Sequence, residues 1–67
     1  MKKLLVKNLG KTRIEYLFSI QNGKNIIEHR STRGRKLLFN RRMEVTADFG
    51  NELYTELIKD GYTKFNI

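Results

Sequence analysis

Six basic side chains and no acidic one lie in the segment from Arg30 to Arg42, which holds the groups with the clearest binding chemistry in the chain. They are Arg30, Arg33, Arg35, Lys36, Arg41 and Arg42. Guanidinium groups donate paired hydrogen bonds to phosphate oxygens and stack on flat bases. The segment therefore predicts a surface that binds a polyanion, and Arg13 is expected to belong to the same surface.

The charges are segregated along the chain. Residues 1–42 contain 12 basic and two acidic side chains, whereas residues 43–67 contain two basic and five acidic ones. A surface that serves only solubility normally mixes the two signs. The net charge of +7 is therefore expected to be concentrated on a binding surface.

Groups suited to catalysis or metal binding are sparse. His29 is the only histidine and there is no cysteine, so no pairing of a nucleophile with a base and no set of metal ligands can be recognised. Glu52 and Glu56 lie one helical turn apart and are expected to be solvated. The sequence predicts a non-enzymatic protein that needs no metal or cofactor.

The length of 67 residues predicts a single small domain over residues 1–67. The absence of cysteine fits a reducing compartment, and a cytoplasmic location is expected. The apolar run after Met1 stops at Lys7, which is too short for a membrane span. No membrane association is expected.

A two-residue turn at Asn22-Gly23 is the strongest local structural prediction, because an Asn-Gly pair between apolar runs favours a tight hairpin. It places Tyr16 opposite His29 and Glu15 opposite Arg30, the latter as a charge pair. One face of the hairpin is then apolar and is expected to form the core. The aromatic residues Tyr16, Phe18, Phe39, Phe49 and Phe65 are all expected to belong to the core.

Further strands and one helix complete the predicted fold. Strands are expected at residues 3–8, at 36–45 with its odd positions (Leu37, Phe39, Met43, Val45) on the core face, and at 62–67. Apolar residues at helical spacing predict an amphipathic helix over about residues 47–59, capped by Thr46 or Asp48. The predicted fold class is α+β: a small antiparallel meander sheet with one C-terminal helix on one face and a short final strand.

This arrangement predicts where the basic residues lie. One helix can cover only one face of the sheet, so the opposite face is expected to be open. The residues expected on that open face or in its connecting loop are Arg13, Arg30, Arg33, Arg35, Lys36 and Arg42. A one-residue change of register would exchange the two faces.

Part of this pattern resembles the WGR family of nucleic-acid-binding modules. The matching features are a strand pair followed by Thr32-Arg33-Gly34-Arg35, then a helix and Gly61-Tyr62. Arg33 stands where that family has its tryptophan, so only Gly34 and Arg35 match the central motif. The resemblance implies contact with DNA or RNA through this loop.

The chain also resembles the small basic accessory proteins of T4-like phages. It is short, basic and cysteine-free, and rich in residues with AT-rich codons (Lys, Asn, Ile, Phe and Tyr). In size and charge it is similar to the TifA-like proteins, RNA-binding inhibitors of the antiviral ribonuclease toxin ToxN. The resemblance implies RNA capture that sequesters such a toxin, in the cytoplasm of the host cell if the chain is encoded by a phage.

The function expected from the sequence is largely sequence-independent RNA binding, with DNA as an alternative ligand. Inhibition of a host ribonuclease or another protein could be built on that binding. Three alternatives stay open: an inhibitor or adaptor that docks its basic face on an acidic partner, a WGR-like DNA-binding module, and a ribosome- or nucleoid-associated structural protein. Self-association into a homo-oligomer is compatible with all of them.

Overall fold

The fold is a five-stranded antiparallel sheet with one helix packed on one face, in a computed structural model that describes residues 2–67. The strands are β1 (Lys2–Leu9), β2 (Thr12–Gln21), β3 (Lys24–Arg33), β4 (Lys36–Val45) and β5 (Thr63–Asn66), and the helix is α1 (Ala47–Lys59). Their order across the sheet is β4-β3-β2-β1-β5. The α+β prediction is confirmed, and the short final strand pairs with β1.

The Asn22-Gly23 turn sets the register of the central hairpin. Both residues have positive φ, 53° at Asn22 and 75° at Gly23, as a two-residue hairpin turn requires. Tyr16 pairs with His29, and Glu15 pairs with Arg30. The predicted register of β2 and β3 is therefore confirmed along the whole hairpin.

Helix α1 begins and ends where the sequence predicts. The Thr46 hydroxyl accepts a hydrogen bond from the Phe49 N–H at 3.1 Å and caps the first turn. At the other end Gly61 has φ 92°, and the Tyr62 N–H donates to the Leu57 carbonyl. The chain then enters β5 on the far side of β1, so the helix connects the two edges of the sheet.

The core is small and lies on both faces of the sheet. Leu5 and Ile27 are fully buried on the face that carries the helix, and Leu57 is the buried residue of α1. Val6 and Ile26 are buried on the opposite face, which we call the open face. Helix α1 lies on the other face, so their burial comes from neighbouring side chains of the sheet.

Strand β4 contains the main departure from the predicted register. The pairing shifts between Ser31 and Thr32: Ser31 pairs with Phe39, but Thr32 pairs with Leu37, so Leu38 is the extra residue of a bulge. Leu37 therefore lies on the open face, not on the predicted core face, and is 52% exposed. Lys36 was predicted on the open face but lies on the helix face, where it pairs with Arg33.

The predicted burial of the aromatic residues is wrong for three of the five. Phe39, Phe49 and Phe65 are 43%, 48% and 48% exposed, respectively. Phe39 lies on an edge strand beyond the cover of the helix, Phe49 is in the first turn of α1, and Phe65 is on the open face of the other edge strand. Tyr16 and Phe18 are half-buried on the helix face, beside Tyr62 and Tyr54.

The helix is also too short and polar to cross a membrane. Within residues 2–67, no helix has the length and apolar character that a membrane span requires.

Candidate nucleic-acid interface

The predicted basic residues do not form one surface. The structure divides them between the open face, the helix face and one end of the sheet. Some of these cations form ion pairs with acidic side chains and others do not. A cation without an acidic partner is freer to bind a ligand.

On the open face, three arginines are counter-ions of the protein's own carboxylates. Arg30 and Arg13 both contact Glu15, at 2.8 Å and 3.4 Å, and the Glu15 side chain is only 11% exposed. Arg42 lies 3.9 Å from a carboxylate oxygen of Glu28 and donates a hydrogen bond to Gln21. The predicted pairing of Glu15 with Arg30 is confirmed, and it makes this face less basic than its arginines suggest.

A second group of cations lies at one end of the sheet, and within residues 2–67 these cations have no acidic partner. The β1–β2 turn and the β3–β4 turn meet there, because the Gly34 N–H donates to the Lys11 carbonyl at 3.1 Å. Gly34 has φ 60°, which lets the backbone reverse between Arg33 and Arg35. We call this group the basic end, and its side chains are those of Lys11, Arg33, Arg35 and Lys36.

All four side chains of the basic end are solvent-accessible. All four are exposed, and none has a carboxylate within 4.0 Å among the residues that the structure describes. Four like charges on two adjoining turns create a local positive potential that attracts a polyanion. The sequence-based set lacked Lys11. The meander order could have identified it, since alternate turns of a meander lie at the same end of the sheet.

The helix face adds a line of rings beside this end. Tyr16 and His29 stack with their ring centroids 3.9 Å apart and an interplanar angle of 12°. Tyr62 meets Tyr16 edge-on at 5.6 Å, and Phe39 meets His29 edge-on at 4.7 Å. We call Tyr62, Tyr16, His29 and Phe39 the aromatic row; it runs across the sheet from the β1 side to edge strand β4.

Two cations border the aromatic row. Arg41 pairs with His29 across the β3–β4 ladder and lies on the same face. Lys7, at the other end of the row, has its Nζ 5.7 Å from the ring centroid of Tyr62 and donates to the Asp60 carbonyl at 2.7 Å. Arg41 has no acidic partner within 4.0 Å in the described part of the chain, unlike its neighbour Arg42.

The environment of the row shifts the pKa values of its titratable groups. Partial burial lowers the pKa of His29, and the positive charge of Arg41 lowers it further. Burial raises the pKa values of Tyr16 and Tyr62. At neutral pH His29 is therefore an uncharged ring, and both phenols keep their protons.

Over residues 2–67, no group of three or more histidine, aspartate or glutamate residues is placed to hold a metal ion. The interface is one of cations and rings.

Comparisons with known proteins assign no relative. No family model, curated protein or solved structure matches the chain.

Proposed function

We propose that this chain is a non-enzymatic RNA-binding domain that contacts the phosphate backbone through its basic end and Arg41, largely independently of sequence. One observation carries the proposal. Five exposed cations have no acidic partner in the described structure: Lys11, Arg33, Arg35, Lys36 and Arg41. By contrast, Arg13, Arg30 and Arg42 each contact a carboxylate. A cation that is already paired gains less from a phosphate than one that is free.

The proposed binding surface lies on a different part of the sheet from the one expected from the sequence. The open face was expected to carry the arginines, but its cations are interleaved with Glu15, Glu28 and Glu44. The basic end and the neighbouring part of the helix face offer positive charge without that neutralisation. DNA has the same phosphate chemistry, so DNA binding is the first comparison to make.

A salt titration tests the electrostatic basis. If four or five phosphates of a single strand are neutralised, log K should fall with log salt with a slope of roughly −3. Fluorescence anisotropy with a labelled single-stranded RNA across a range of salt concentrations measures that slope. A slope near zero would overturn the proposal.

A matched pair of double variants tests the location. Arg33→Ala with Arg35→Ala should weaken binding roughly tenfold, to a similar extent for unrelated sequences, because phosphate contacts carry no base information. Lys24→Ala with Arg42→Ala removes the same net charge but from residues paired with Glu44 and Glu28. The control should bind much more like the wild type, and equal losses in the two variants would contradict the assignment.

The same exposed cations also fit an acidic protein surface, and this is the second candidate function. In that case the chain would inhibit or adapt a partner, such as a ribonuclease toxin, by direct contact. Ribonuclease treatment of a purified complex discriminates between the two. A partner that stays bound after the RNA is destroyed favours direct protein contact, and one that is released favours RNA capture.

A further inference from the structure

The helix covers only part of its face of the sheet. It is capped by Thr46, directly after edge strand β4, begins at Ala47 and ends near β1, where Lys7 donates to the Asp60 carbonyl. Tyr54 in the middle of the helix packs edge-on against Phe18, with ring centroids 5.8 Å apart. Phe18 lies on the side of the Asn22-Gly23 turn, so the helix leaves the β3–β4 region at the basic end uncovered.

The rings in the uncovered region grow more exposed towards edge strand β4. Tyr16 and His29 are half-buried, whereas Phe39, the outermost ring of the row, is exposed. The side chains that neighbour Phe39 along this strand are also accessible, including Leu37 and Leu38. Phe39 meets His29 edge-on and is 43% exposed, so much of its ring faces solvent and is accessible to a ligand.

Cations lie on both sides of these rings and on the same face. Arg41 is next to Phe39 along the face of β4 and pairs with His29. On the other side, the bulge turns Lys36 to the helix face, where it pairs with Arg33. Successive residues of one face are about 7 Å apart along a strand, similar to the spacing of phosphates in an extended single strand.

We propose that Phe39, the outer ring of the aromatic row, supported edge-on by His29, is a base-stacking platform for single-stranded RNA, with Arg41 on one side and Arg33 and Lys36 on the other to hold the phosphates. Single-strand binders combine a positive groove with aromatic rings on which bases stack, without need of a sequence code. This inference rests on the proposed RNA binding and adds to it the strandedness of the ligand and the face that receives it. A duplex has its bases stacked internally, so it can use the cations but not the rings.

Phe39→Ala is the first test of the platform. Loss of one stacking contact should weaken binding of a single-stranded oligouridine by about tenfold, while binding of an RNA duplex changes little. Phe65→Ala is the matched control, because Phe65 is similarly exposed but lies on the open face. Thermal melting followed by circular dichroism should show that both variants are folded.

Phe39→Trp provides a direct spectroscopic test. The chain contains no tryptophan, so the new indole would be the only one. Its fluorescence should be quenched by oligouridine but not by an abasic strand of the same length, because only the former has a base to stack. Phe65→Trp should show no such quenching, and its affinity should equal that of the wild type.

The outcomes separate this inference from the proposed function. If Arg33→Ala with Arg35→Ala weakens binding roughly tenfold but Phe39→Ala does not weaken it, RNA binding stands and the stacking platform is overturned. If the arginine variant still binds normally, the proposed function itself fails. If Phe39→Ala reduces self-association in analytical ultracentrifugation and leaves RNA affinity unchanged, the row is a contact between copies, and the platform is likewise overturned.

Discussion

Arg30 places both its Nε and its Nη2 on one oxygen of the Glu15 carboxylate, at 3.0 Å and 2.8 Å, across the ladder between β2 and β3. Arg13 contacts the other oxygen at 3.4 Å. A carboxylate that is largely removed from water is stable only when its oxygens have donors. We therefore assign Arg30 and Arg13 to the stability of the sheet before any role in binding.

Replacement of Arg30 should therefore destabilise the fold. Arg30→Ala removes two donors from a buried acceptor, and the free energy of unfolding should fall by about 1–3 kcal/mol. Arg35→Ala, at an exposed position of the β3–β4 turn, should leave stability nearly unchanged. Urea denaturation of both variants makes the comparison, and equal stability would contradict the structural role of Arg30.

The Asn22-Gly23 turn predicts a second effect on stability. Gly23 has φ 75°, so Gly23→Val would force a β-branched side chain into a backbone region that it strongly disfavours. The melting temperature should fall by several degrees. Gly50→Ala is the control within the helix, because its new Cβ would lie 3.7 Å from Val45 Cγ2, an ordinary contact, and helix propensity favours alanine. An unchanged melting temperature in Gly23→Val would contradict the tight turn.

The stability of the fold should depend on pH through His29. Because this is the only histidine, nuclear magnetic resonance can follow its titration directly. Its pKa in the folded chain lies below the unfolded value of about 6.5, because of burial and then of Arg41. Tyr16, which stacks on it from β2, keeps its proton throughout this range. Since the unfolded chain takes up the proton first, the contribution of His29 to stability is complete above about pH 6.5 and is lost as the pH falls towards the folded-state pKa.

Two changes should move the His29 pKa upwards. Arg41→Ala removes one of its two causes, so the pKa should rise part of the way towards 6.5. Bound RNA should raise it as well, because a phosphate next to Arg41 offsets the arginine's charge. RNA should accordingly bind more tightly as the pH is lowered through this range. An unchanged His29 titration in saturating RNA would place the phosphates elsewhere.

The hairpin, the helix and the fold class were predictable because each depends on a local signal. Asn22-Gly23 determines the register of β2 with β3, and Thr46, Leu57 and Gly61 mark the helix. The bulge at Leu38 was not predictable, since its neighbours Leu37 and Phe39 are as apolar as it is and no residue type there marks the extra position. That one residue moves Leu37 to the open face and Lys36 to the helix face.

The candidate site was predictable as a set of residues but not as a surface. The sequence identifies the basic run, yet it does not show that Glu15 binds two arginines or that Glu28 lies beside Arg42. Nor does it show how far one 13-residue helix extends over a sheet whose strands reach 10 residues. That limited extent is the reason why Phe39 is exposed.

Charge reversal on the helix should affect protein contacts and RNA binding differently. Glu52 and Glu56 are exposed on α1. Reversal of both to lysine should leave RNA affinity equal or slightly stronger, because negative charge is removed from a protein that binds a polyanion. It should weaken any protein contact made through the helix, which a pull-down with a candidate partner would measure. Weaker RNA binding in this variant would indicate that the helix itself contacts the ligand.

Arg41 and Arg42 offer the sharpest test of which face binds RNA. They are adjacent in β4 and so point to opposite faces, Arg41 beside His29 and Arg42 beside Glu28. Arg41→Glu and Arg42→Glu change the net charge equally, so their long-range electrostatic effects are nearly the same and any difference between them is local. If RNA lies across His29 and Phe39, Arg41→Glu should weaken binding by roughly tenfold more than Arg42→Glu, as expected for one charged contact turned repulsive. Arg42→Glu instead places two carboxylates side by side, so its larger effect should be on the melting temperature. Anisotropy and thermal melting of both variants give the comparison, and a greater loss of RNA affinity in Arg42→Glu would move the binding surface to the open face.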